Sequence, residues 1–223
     1  FEGIEHRLRD DDRVAELVLA VGVALVVEVR DGLTDYRRVG GQGTDYALFQ
    51  SGEALNYAGR SEEALRSLNR LVERYPDSRW RSQAMYRIGA IHFQNQDYEE
   101  AVTAYQRFLD TYPDHQLAPE AQYGIGDSRY NAGKMENAVE AYRTVLVTYP
   151  NSSTAPEAAS SLFFALSAAG QSDRAEQIIT EIAKAHPDAN LEDRLRFQRA
   201  KAAYQSGEST EALTLFQSFV RTT

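Results

Sequence analysis

Residues 84–115 read AMYRIGAIHFQNQDYEEAVTAYQRFLDTYPDH, and residues 121–152 read AQYGIGDSRYNAGKMENAVEAYRTVLVTYPNS. Laid one above the other, the two stretches share an early glycine, a turn, an alanine in the second half and a tyrosine-proline ending. That ending keeps a constant step: Tyr75-Pro76, Tyr112-Pro113, Tyr149-Pro150 and His186-Pro187 place a proline every 37 residues. Ala64, Ala101, Ala138, Ala175 and Ala212 keep the same step, so five copies of one unit fill the chain from about Thr44 onward. A fixed period in this range is the signature of a solenoid, whose units bury their apolar faces only against their neighbours. Such a chain is built to present a surface.

The grammar of one copy follows from helix physics. A small residue recurs at Gly52, Gly89, Gly126 and Ala200, where a second helix must cross at close range; the fourth copy departs, with Phe163. A turn follows at Gly59, Gln96, Gly133, Gly170 and Gly207, four of them the residue that tolerates a left-handed backbone after a helix. Glu62, Glu63, Glu99, Glu100 and Glu136 then suit the positive end of the next helix. Four residues after each alanine comes Leu68, Tyr105, Tyr142, Ile179 or Phe216, and three further on Leu71, Phe108, Val145, Ile182 or Phe219. This spacing predicts a buried helical stripe. The proline stops the helix, because its ring cannot continue the hydrogen-bond ladder and the residue before it is pushed out of the α region. Pro119 and Pro156 stand where the next first helix starts, a place that tolerates a missing N–H.

These residues resemble the tetratricopeptide repeat (TPR) family, through Gly89 to Gln96, Gly126 to Gly133, Tyr98 before Ala101, the alanine-to-aromatic step and the terminal proline. Two departures stand out. The tryptophan of that family is replaced by Leu48, Met85, Gln122, Ala159 and Arg196, and the period exceeds the usual 34 by three residues in a Pro-Asp-Ser-type link. The longer unit is similar to a bacterial cell-envelope subgroup that includes the Tol-Pal-associated periplasmic protein and the outer-membrane assembly lipoprotein. The resemblance implies an all-α fold, a right-handed α-solenoid of about five helix hairpins with repeats near 44–80, 81–117, 118–154, 155–190 and 191–223. It also implies a periplasmic or outer-membrane-associated location, with the cytoplasm as the alternative.

Residues 1–43 fit the frame only in part. Ala15, Gly22 and Val27 would suit a degenerate repeat, yet the following stripe would fall on Asp31 and Thr34. The competing expectation is a short β-hairpin through Ala24 to Val29, Asp31-Gly32 and Leu33 to Val39. Gly40-Gly41-Gln42-Gly43 reads as a joint and lacks the lysine and hydroxyl of a phosphate-binding loop. The chain begins at Phe1 rather than methionine, from which a processed or excised piece is expected.

Composition excludes several functions. The 223 residues are 43% hydrophobic, enough for a core, and the net charge of -9 argues against a nucleic-acid partner. The longest apolar run, Leu17 to Val27, is too short for a spanning helix, so no integral membrane segment is expected. There is no cysteine, and His6, His92, His115 and His186 are scattered, so no metal, cofactor or catalytic residue is expected. Asp10-Asp11-Asp12 and Glu99-Glu100 read as a solvated run and a helix start.

What remains is binding. The resemblance implies a concave wall lined by the first helix of each pair, which places there Phe49, Glu53, Asn56, Tyr86, Phe93, Glu120, Tyr123, Asp127, Tyr130, Asn131, Phe164, Phe197 and Tyr204. Rings, amides and carboxylates at those positions suit an extended peptide or domain of a protein partner, and Glu120 with Asp127 would attract a basic residue. The competing reading is that the rings only fill space between neighbouring first helices. The corresponding positions hold no lysine or arginine to clamp an acidic tail. The expected function is a non-enzymatic interaction scaffold. The alternative is a self-associating solenoid that forms a homo-oligomer through its C-terminal repeat, where Leu215, Phe216, Phe219 and Val220 would form an uncovered stripe.

Overall fold

A computed structural model describes residues 43–189, 191–205, 207 and 209–222. Both readings of residues 1–42 therefore lie outside the described residues. The described residues form ten α-helices and no strand. They are α1 (Thr44–Tyr57), α2 (Ser61–Arg74), α3 (Arg81–Gln94), α4 (Tyr98–Thr111), α5 (Ala118–Asn131), α6 (Met135–Thr148), α7 (Ala155–Ala168), α8 (Ser172–Ala185), α9 (Leu191–Gln205) and α10 (Ser209–Thr222), with a short 3-10 turn at Pro187–Ala189. The described residues are all-α and TPR-like, as the period predicts. Two compact units divide it, one ending at Phe108 and the other beginning at Leu109. In the first, α1 packs on α2 and α2 on α3; in the second, α5 to α10 pack each on the next, and α7 also touches α5 and α9.

Four hairpin turns are closed the same way. The amide three residues past the helix end donates to a carbonyl five residues back, as Arg60 to Leu55 (2.8 Å), Asp97 to His92 (2.9 Å), Lys134 to Arg129 (2.8 Å) and Gln171 to Leu166 (2.8 Å). This wrap satisfies the last helical carbonyls and forces one left-handed residue. Gly59, Gly133, Gly170 and Gly207 supply it at φ from 71° to 84°, and Gln96 adopts it too, at φ 67°.

The extra length in each link forms a second turn. The Ser78 amide donates to the Tyr75 carbonyl (3.1 Å) and the Ser152 amide to that of Tyr149 (3.0 Å), with proline in the position that favours its fixed φ. The fourth link residue then meets the start of the next helix. Ser78 Oγ accepts from the Trp80 amide, His115 Nδ1 from Leu117 and Ser152 Oγ from Ala155, each at 3.1 Å. His115 is thus a structural acceptor standing where two of the other links carry serine and the last carries Ala189. Pro119 and Pro156 lie in the first two residues of α5 and α7, where no helical carbonyl awaits a proline N–H.

The core has the predicted stripe. The five alanines are at most 2% exposed, and Leu68, Leu71, Tyr105, Phe108, Tyr142, Val145, Ile179 and Ile182 are all buried. An ideal Cβ on Gly126 would sit 2.4 Å from Tyr142 Cε1, and one on Gly89 2.6 Å from Tyr105 Cδ1. Those distances are far inside van der Waals contact, so glycine is required in the second and third copies, where a tyrosine ring from the second helix fills the crossing. The fourth copy inverts the arrangement: Phe163 supplies the bulk from the first helix and Ile179 faces it from the second, both buried in one cluster.

Candidate functional site

Neighbouring helices of equivalent type are joined by side chains at a fixed offset, because the residue level with position i lies one period further on, shifted by a fraction of a turn. Asn56 donates to Gln94 Oε1 (3.2 Å), Tyr123 bonds Ser161 Oγ (3.0 Å) and Arg174 pairs with Glu136 (2.8 Å), all 38 residues apart. One helical turn less gives the contacts Arg87 to Glu53 (2.8 Å) and Tyr130 to Phe164 (6.3 Å between ring centres). These links place the candidate residues in two separate sets.

In the first unit, Phe49 is taken up by packing. It is 9% exposed and its ring stacks on Trp80 at 5.2 Å, with Tyr46 beside it and the Arg79 guanidinium 4.8 Å over the indole. Tyr86 leans on Tyr105 and Phe108, and Phe93 on Tyr98. Asn56 remains accessible and is tied to Gln94. Glu53 is matched by Arg87. An open cavity of about 310 Å³ in this unit is lined by His92, Glu99, Glu100, Thr103, Ala104 and Arg107. The His92 Nδ1 there is buried without a hydrogen bond, 3.6 Å from an Asp97 carboxylate oxygen.

In the second unit, Glu120, Tyr123, Asp127, Tyr130 and Asn131 recur at helical spacing along one face of α5, and α7 adds Ser161 and Phe164. Tyr142 reaches beneath Gly126 from α6 and donates its hydroxyl to Asp127 Oδ1 at 2.7 Å. The Tyr123 hydroxyl also acts on the Asp127 carboxyl, pulling it down. Burial pushes the Asp127 carboxyl above the usual aspartate range, against the pull of the two phenols. Burial, then the Asp127 charge, raises the Tyr142 hydroxyl. The Tyr123 hydroxyl is raised first by burial and then by the charges of Asp127 and Glu157, which places the Glu157 charge from α7 in the same field. Glu120 Oε2 is buried without a hydrogen-bond partner. Asn131 donates to the Asp127 backbone carbonyl, which holds it at the rim. Phe164 is 59% exposed, Phe197 41% and Tyr204 69%.

The sequence did not point to Ser161, Glu157, Arg87, Trp80 or the Tyr142 hydroxyl. The offset of one period plus one residue, or less three, would have found the first three. Among the described residues no group of three His, Cys, Asp or Glu side chains is arranged to hold a metal ion, and no helix is long and apolar enough to cross a membrane.

Comparison with known proteins agrees with this architecture. Residues 42–166 match the family described as YfiO, outer membrane lipoprotein, and residues 120–223 match the bacterial transcriptional activator domain, BTAD. No curated protein matches the chain. Among solved structures, MamA aligns at a TM-score of 0.52 with 15% identity, covering 76% of this chain and 92% of its own. A chain from Podosopora anserina with nearly identical TPR-like repeats aligns at 0.53 with 17% identity, covering 81% and 97%. MamA from Desulfovibrio magneticus RS-1 aligns at 0.51 with 18% identity, covering 78% and 96%. At these identities the likeness is one of fold.

Proposed function

The chain belongs to the YfiO outer membrane lipoprotein family, and on that premise we propose that it is a non-enzymatic scaffold that holds a peptide segment or domain of a protein partner in a bacterial envelope assembly. The observation that carries this reading is the α5–α7 face of the second unit. Phe164 stands 59% exposed against Tyr130, beside hydrogen-bonding side chains that are fixed in place. An accessible ring next to ordered polar groups gives a partner apolar area to cover and backbone partners to meet, at little ordering cost. Asn56 and Gln94 offer a similar amide pair in the first unit.

A photoreactive phenylalanine analogue placed at position 164, in cells of the native organism, tests the assignment. Crosslinks to a discrete envelope protein are expected from position 164, and none from Arg143, exposed on the second helix α6. The reverse pattern would overturn the choice of face.

A second reading has its own observation. On α10, Leu213 is 58% exposed and Val220 72%, two turns apart on one side. Such a pair suits association with a second copy. Sedimentation of the parent and of Val220→Glu distinguishes the readings, since only the self-associating chain dissociates on substitution.

A further inference from the structure

Glu53 and Asp127 stand exactly two periods apart and occupy equivalent places on first helices. Glu53 has its own counter-charge, for Arg87 lies 2.8 Å away on the next first helix. The residue two periods beyond Arg87 is Ser161, which bonds the Tyr123 hydroxyl instead. Asp127 instead accepts from the neutral Tyr142 phenol, with the Tyr123 hydroxyl acting on it as well. Three arginines of the same unit are engaged elsewhere: Arg129 donates to the Asn137 carbonyl, Arg143 pairs with Glu140 and Arg174 with Glu136. Glu157 adds a second negative charge to this field, and Glu120, one helical turn before Tyr123, carries the buried acceptor oxygen that has no partner. A desolvated carboxylate without a cation is destabilising, and a carboxylate keeps acceptor sites after one hydrogen bond.

We propose that this face receives a lysine or arginine side chain of the bound partner segment, its cationic head paired with Asp127 and its aliphatic stem laid along Tyr130 and Phe164. The inference rests on the peptide-binding reading above and narrows it to a basic partner segment docked on α5 and α7. Glu157 and Glu120 would draw the cation in, while the two rings shield the stem. The first unit cannot serve in the same way, because Arg87 already neutralises Glu53.

The test selects dodecapeptides from a random displayed library on the full chain, then titrates the best enriched peptide, fluorescently labelled, against variants. Enriched peptides are expected to share a lysine or arginine beside apolar residues. Asp127→Asn should weaken them about 10- to 100-fold, the range for losing a charged hydrogen-bond partner. Ser161→Arg, which restores the internal counter-charge found in the first unit, should weaken them as much, and Glu140→Gln, exposed on α6, should leave them unchanged. Circular dichroism of each variant verifies that the helices are intact. If the enriched peptides lack basic residues and bind Asp127→Asn as tightly as the parent, while exchange of Phe164 weakens them, the basic-residue inference fails and the scaffold reading survives. If no peptide is enriched, both fail.

Discussion

Replacing Gly126 by alanine is expected to destabilise the second unit by about 3 kcal/mol. The new Cβ would lie 2.4 Å from Tyr142 Cε1, 2.6 Å from Cδ1 and 3.1 Å from Cζ, so the ring must retreat by roughly 1 Å to reach ordinary contact. It has little room, being 2% exposed, and its hydroxyl is anchored on Asp127 at 2.7 Å. Retreat carries that bond out of hydrogen-bonding range. Overpacking costs about 1–3 kcal/mol, losing a hydrogen bond to a charged acceptor adds about 1.5–3, and the better helix propensity of alanine returns about 1. Urea unfolding followed by helical circular dichroism measures the sum. Emission of the lone Trp80 supplies a separate signal from the first unit. The decisive comparison is a double-mutant cycle with Tyr142→Val, in which the smaller side chain leaves space for the Cβ. In that background Gly126→Ala should be neutral or stabilising by up to about 1 kcal/mol. If Gly126→Ala behaves like the parent while Tyr142 is intact, the account of the helix crossing is wrong.

Three further outcomes follow from named features. Gln96→Gly should raise stability by about 1 kcal/mol, since Gln96 bears the left-handed φ of 67° that four other turns assign to glycine; an unchanged urea midpoint would refute the strain. Asp127→Asn should stabilise the fold while weakening peptide binding. Burial raises the carboxyl, so the folded state holds the proton more tightly than the unfolded state, and ionisation opposes folding as pH rises through the ordinary value of 3.8 toward the raised one. The advantage of asparagine should therefore be absent below that window and grow across it, which paired urea midpoints from about pH 3 to pH 7 would show. Glu136→Gln should leave the midpoint unchanged at neutral pH, because the Arg174–Glu136 pair is fully solvated.

The hairpins were legible because backbone geometry repeats them. A left-handed turn residue, a crossing that excludes side chains and a stripe four and seven residues along each impose a residue type locally, so the period exposes them. Even the exceptions obeyed the same physics, with Gln96 keeping the turn and Phe163 moving its bulk to the opposite helix. The candidate site was legible only in part, because its character lies in pairs that span one period with a small offset. The residues of α5 were found by repetition, whereas Ser161 and Glu157, which define their surroundings, look ordinary when read along α7. Phe49 resembled a surface ring until Trp80, placed in a link, was seen to stack on it. A link residue reaching back onto the preceding first helix leaves no periodic trace when it occurs once.

The side-chain bonds that join neighbouring repeats close loops of at most 38 residues. Closure entropy over so short a span is small and nearly the same for each of these bonds, none of which waits for a distant part of the chain. During synthesis, a hairpin can therefore settle on the one before it within its own unit as soon as it leaves the ribosome. Collapse of the nascent chain then needs no waiting for the C-terminus, a practical advantage for a protein whose exposed rings would otherwise invite premature partners.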